Sequence, residues 1–88
     1  MNVLLERLTE LGGVQHEFKS MLSVTVPKRA VLDALRAAKA DGLEMLTDIH
    51  GMDYLTYPGH RGKRFAVIYN VHDVAGHRRL FVRVELDD

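Results

Sequence analysis

The chain reads as an α+β fold, a two-layer sandwich in which two helices pack on one face of a mainly antiparallel sheet of four to five strands. Two observations predict it. Two stretches repeat apolar residues at helical spacing, and three others alternate apolar with polar residues at strand spacing. A third agrees: 88 residues make one small domain, residues 1–88, with no repeat, low-complexity segment or linker to divide it.

Leu4, Leu8 and Leu11 mark the first helix, with Leu5 widening the stripe and Glu6, Thr9 and Glu10 lying away from it. Gly12-Gly13 stops it. Val14–Phe18 can add a short edge strand. Leu22, Val24 and Val26 then alternate with Ser23 and Thr25, a strand with one buried face. Pro27 ends that strand and suits the first turn of a helix, where a missing N–H costs little. In that second helix Val31, Ala34, Leu35 and Ala38 form one stripe, opposite Arg29, Asp33, Arg36 and Ala40. Asp41-Gly42 closes it, with Gly42 suited to a left-handed conformation.

Residues 43–55 are expected to form a strand with an irregularity near Gly51, because neither face is purely apolar through that point. Residues 56–63 form a loop that is long for a hairpin and contains Pro58-Gly59, a type II turn pair; long loops on rigid sheets often carry partner contacts. Phe65, Val67, Tyr69 and Val71 alternate with Arg64, Ala66, Ile68, Asn70 and His72. After a turn through Gly76, Leu80, Val82, Val84 and Leu86 alternate with Arg79, Phe81, Arg83 and Glu85. Val67, Tyr69, Val82 and Val84 should therefore face the helices together with Val31 and Leu35. The element order is α-β-α-β-β-β, plus the extra edge strand.

Composition excludes several function classes. Twelve basic and 12 acidic residues leave no net charge to attract nucleic acid or anionic lipid. With no cysteine, the chain can hold neither an ordinary iron–sulfur cluster nor a disulfide. Its apolar runs are far below the ~20 residues needed to cross a bilayer, and Glu6, Arg7 and Glu10 stand where a signal peptide would be apolar.

The polar residues specify little chemistry. His72, Asp73 and His77 flank one turn at a spacing that matches no zinc motif, and a polar hairpin turn explains them without a metal. His16, His50 and His60 are scattered in sequence. Asp48 and Asp53 interrupt an apolar strand; five residues apart, they fall on opposite faces of a regular strand and are expected to satisfy backbone donors or meet an arginine such as Arg64. Arg61, Lys63, Arg64, Arg78, Arg79 and Arg83 cluster on the last hairpin and the loop before it. With Phe81 among them they imitate an RNA-binding sheet, but one aromatic is no stacking platform and no RNP-type pattern occurs. Such residues equally suit a protein interface. No phosphate loop is present, and Ser20 and Ser23 have no visible base, so no catalytic residue is assigned.

The order Leu46-Thr47-Asp48, Asp53-Tyr54, Arg64-Phe65, Val67-Ile68-Tyr69 and the run Arg79 to Val84 resembles the thirty-kilodalton subunit family of respiratory complex I, the proton-translocating NADH-quinone oxidoreductase. The resemblance is closest over about half of the chain and is to the N-terminal domain of that family. Members continue into a segment of the form E-R-E-x-x-D-x-F-G, which these residues do not include. The resemblance implies a non-catalytic docking role in the hydrophilic arm, supporting electron transfer from NADH to quinone. It implies no cofactor on this chain, FMN, iron–sulfur clusters and quinone belonging to other subunits. It also implies packing against the forty-nine-kilodalton subunit on the cytoplasmic side of the bacterial inner membrane, with only indirect membrane contact. For such a docking role Asp53, Tyr54, Tyr57, Arg61, Arg64, Arg79, Phe81 and Arg83 combine exposed-face or loop position with side chains favoured in interfaces. The reading set against it is a stand-alone α+β adaptor or weak RNA-binding module with no redox role.

Overall fold

A computed structural model describes residues 2–18, 21–53, 65–75 and 77–86. In chain order these form α1 (Asn2–Glu10), β1 (Val14–Phe18), β2 (Met21–Val26), a 3₁₀ turn (Lys28–Ala30), α2 (Val31–Ala40), β3 (Met45–Asp53), β4 (Phe65–His72) and β5 (Arg79–Leu86). The expected α+β sandwich is observed, and the extra edge strand is β1. Tyr54, Tyr57, Arg61, Arg64, the 56–63 loop and Gly76 lie outside the described residues.

Both helices end in the same way. Gly12 N–H bonds the Thr9 carbonyl and Gly13 N–H the Leu8 carbonyl, while Gly42 N–H bonds Lys39 and Leu43 N–H bonds Ala38. This pair of backward bonds satisfies carbonyls that a helix end would otherwise leave open, and it places one residue at positive φ. Gly12 and Gly42 supply that residue, at φ 92° and 95°.

The strand order is β1-β2-β5-β4-β3. Three neighbouring pairs are antiparallel, and β2 runs parallel to β5 at the centre, with Val24 beside Val82 and Val26 beside Val84. Those four residues are buried together with Leu80 and Val71, under Leu4 and Leu8 of α1 and Ala34 and Ala38 of α2. Val31, Leu35 and Tyr69 pack against this core from its margin, and Val67, opposite Val84, shares its face half-buried. Burial of these aliphatic side chains, each worth about 1.5–3 kcal/mol, holds the layers together.

The irregularity in β3 is real but lies elsewhere than expected. Gly51 pairs regularly with Val67, whereas the register slips between Leu46, opposite Val71, and Asp48, opposite Asn70. Thr47 is the extra residue of a bulge, and it reverses the parity of the strand. That is why the apolar pattern fails through this region: Leu46 and Ile49 share one face although they are three apart. At Gly51 an added Cβ would meet nothing within 4 Å. No close approach demands a glycine there.

Candidate docking surface

The helices cover one face of the sheet. On the other, strand parity sets Arg79, Phe81 and Arg83 of β5 beside Ser23 and Thr25 of β2 and Ile68 and Asn70 of β4, with Asp48 and His50 of β3 following across β4. His16 pairs with Ser23 from β1. The result is a shallow hollow of about 300 Å³ lined by His16, Met21, Ser23, His50, Ile68, Phe81 and Arg83. Its floor is apolar and its rim carries imidazole and guanidinium groups, the composition of a protein contact.

Three of the expected contact residues thus share this surface. Phe81 and Arg83 line the hollow itself, and Arg79 extends the same row. Asp53 does not join them: it pairs with Phe65, which faces Leu86 on the helix side of the sheet. His16 and His50, uninformative in sequence, converge on the hollow because the strand order brings β1 and β3 to its two margins. Parity alone could have found Ile68; placing Met21, Ser23 and His16 needed the β2–β5 pairing.

Among the described residues Asp48 meets a histidine, His50 Nε2 lying 2.8 Å from Asp48 Oδ2 with both side chains half exposed; Arg64, the arginine named for it, lies outside the described residues. The two are separated by one residue on a regular part of β3, so they stand side by side on the open face. Beside them the Asn70 carboxamide oxygen is sealed from solvent and has no hydrogen-bond partner among the described residues.

The polar turn at residues 72–78 serves the fold. Asp73 accepts hydrogen bonds from the backbone N–H groups of His77 (2.9 Å) and Arg78 (3.4 Å) and from Arg78 Nε (3.2 Å). Arg78 in turn donates to Asp41 Oδ2 at 3.1 Å and to the Asp41 carbonyl at 2.9 Å, which ties the β4–β5 turn to the C-terminal end of α2. A guanidinium suits that end of the helix dipole. Burial pushes the Asp73 carboxyl up, but the hydrogen bonds from Arg78 and His77 and the Arg78 charge outweigh it and hold the group below the ordinary 3.8. His72 Nδ1 donates to the Asp73 carbonyl at 2.7 Å. Among the described residues no three histidine or carboxylate groups are arranged to hold a metal ion, and no helix is long and apolar enough to cross a membrane.

Comparison with known proteins adds a family. Residues 24–88 match the model of the respiratory-chain NADH dehydrogenase 30 Kd subunit. The chain is 41% identical over 68 residues to NADH-quinone oxidoreductase subunit 5 of Thermus thermophilus, covering 72% of this chain and 33% of that protein. It is 37% identical over 95 aligned positions to the homologous NADH-quinone oxidoreductase subunit of Methylobacterium sp. (strain 4-46), covering 100% of this chain and 42% of that one. Among solved structures, the trypsin-resistant fragment of Nqo5, residues 1–134, superposes with a TM-score of 0.85 at 33% identity, over 99% of this chain and 70% of the fragment. The chain therefore spans about a third of the length of the Thermus relative it matches.

Proposed function

The chain belongs to the family of the 30 kDa subunit of respiratory-chain NADH dehydrogenase, and on that premise we propose that it is a non-catalytic docking domain of the hydrophilic arm of NADH-quinone oxidoreductase. Its partner is the forty-nine-kilodalton subunit, and its contact surface is the open face of the sheet. It supports electron transfer from NADH to quinone by holding other subunits in place, while FMN, iron–sulfur clusters and quinone reside on those subunits. Its place is the cytoplasmic side of the membrane, reached only through the complex.

The observation that supports this reading is the open face itself. Among the described residues the helices lie on one side of the five-stranded sheet, and the other side carries an apolar hollow containing Phe81, rimmed by Arg83. Interface energy concentrates in such aromatic and arginine residues, each worth about 1–2 kcal/mol or more when truncated.

The test is capture of the forty-nine-kilodalton subunit from the same organism. Phe81→Ala combined with Arg83→Ala should weaken capture about tenfold or more, with the fold verified by circular dichroism. Undiminished capture by the folded double variant would remove the open face from the interface. Specific RNA binding with a steep salt dependence, and no capture, would replace docking with the RNA-binding reading.

A further inference from the structure

Strand register lays out the open face in rows across the sheet. One row holds Met45 of β3, His72 of β4 and Arg79 of β5. Met21 of β2 completes it, because β2 runs parallel to β5 and Met21 stands two residues before Ser23 as Arg79 stands two before Phe81. Met45 and Met21 are 47% and 49% exposed. Arg79 between them is exposed as well, and among the described residues it takes part in no ion pair. The carboxylates around it are engaged or lie off the row: Asp73 accepts from His77 and Arg78, Asp48 is held by His50, Glu85 stands at the other end of β5, and Glu44 precedes β3. The row lies at the end of the sheet away from Asp53 and Phe65, about 23 Å along β4 from Phe65 at the rise of an extended strand.

A guanidinium set between two methionines, with the ring of Phe81 next on its own strand face, has a definite complement. A partner that covers the methionines takes Arg79 out of water with them, and a desolvated cation then needs an anion. A carboxylate supplies one, with two oxygens matched to the guanidinium fork. The thioether side chains meanwhile adapt to apolar groups of varied shape. We propose that this end of the open face receives a segment of the forty-nine-kilodalton subunit in which a carboxylate is flanked by apolar side chains, the carboxylate seated on Arg79 and the apolar groups on Met21, Met45 and Phe81. An uncharged or basic segment would strand the guanidinium. The inference rests on the docking reading and adds to it the chemistry of the segment that docks.

Zero-length carbodiimide coupling joins an amine to a carboxylate in direct contact. Arg79→Lys keeps the charge and supplies the amine, so it should link through position 79 to the forty-nine-kilodalton subunit of the same organism, and mass spectrometry of the linked peptide should find an aspartate or glutamate with apolar neighbours. The parent chain, with no amine at 79, is the blank. Arg79→Glu should weaken capture about tenfold, and reversing the mapped carboxylate to lysine should restore it. Met21→Gln with Met45→Gln should weaken capture about threefold. The three substituted side chains are exposed and outside the core, and circular dichroism checks each fold. No link at position 79, full capture by Arg79→Glu, no recovery on charge exchange, or full capture by the methionine double variant would overturn the inference; if Phe81→Ala with Arg83→Ala still weakens capture, the docking reading survives that loss. Undiminished capture by the Phe81 and Arg83 double variant would remove the docking reading and this inference together.

Discussion

Neighbouring residues of β5 meet opposite fates. Leu80, Val82 and Val84 are sealed under two helices, while Arg79, Phe81 and Arg83 stand on the side of the same strand that faces away from the helices. The covered face is continuous with both helices and with β2 and β4, so a fault there is shared by the whole core. The open face is a row of side chains in a shallow hollow whose loss leaves the core untouched. Stability should therefore reside on one side of the strand and recognition on the other.

The largest test of that division compares Val82→Asp with Phe81→Asp. Val82 is fully buried, and an unpaired carboxylate there costs several kcal/mol, a large part of what a small domain has. Val82→Asp should unfold the chain at neutral pH, whereas Phe81→Asp should melt cooperatively near the parent temperature in thermal circular dichroism. Similar melting of the two variants would erase the distinction between faces.

A smaller effect separates the two glycines that bound this part of the molecule. At Gly42, φ is +95° and an added Cβ would come within 2.7 Å of Arg78 Nη2, so Gly42→Ala should cost about 1–2 kcal/mol in urea unfolding. At Gly51 the space is open, and Gly51→Ala should stay within about 0.5 kcal/mol of the parent. Arg78→Ala should remove about 1 kcal/mol by freeing the C-terminal end of α2.

Acid provides the finest probe. Folding lowers the Asp73 carboxyl below 3.8, so the stabilisation is present above that value and is lost as pH falls through 3.8 toward the folded-state value. Asp73→Asn should flatten the pH dependence of the melting temperature in that acid window and leave it unchanged near neutrality. An unaltered acid limb would mean that other carboxylates govern it.

Much of this protein was decided locally and could be read from the chain. Alternation at Leu80 through Leu86 assigned each side chain to its face, helical spacing chose Ala34 and Ala38 for burial, and Gly12 and Gly42 marked both helix ends. The ordered residues from Leu46 to Val84 carried the family resemblance as well. These signals survive in one dimension because backbone periodicity and turn chemistry depend on near neighbours.

Three features were decided only by the tertiary structure. The parallel seating of β2 against β5 brings His16, Met21 and Ser23 to the hollow around Phe81, and no local pattern encodes which strands become neighbours. The bulge at Thr47 depends on how β3 registers against β4, so its position could not be read from an apolar pattern that only revealed a break. Arg78 reaches Asp41 across 37 residues of sequence, a contact made possible when the sheet lays the β4–β5 turn against the end of α2. Each is a long-range pairing. Its partners are selected by burial of the whole covered face and not by the residues on either side of them.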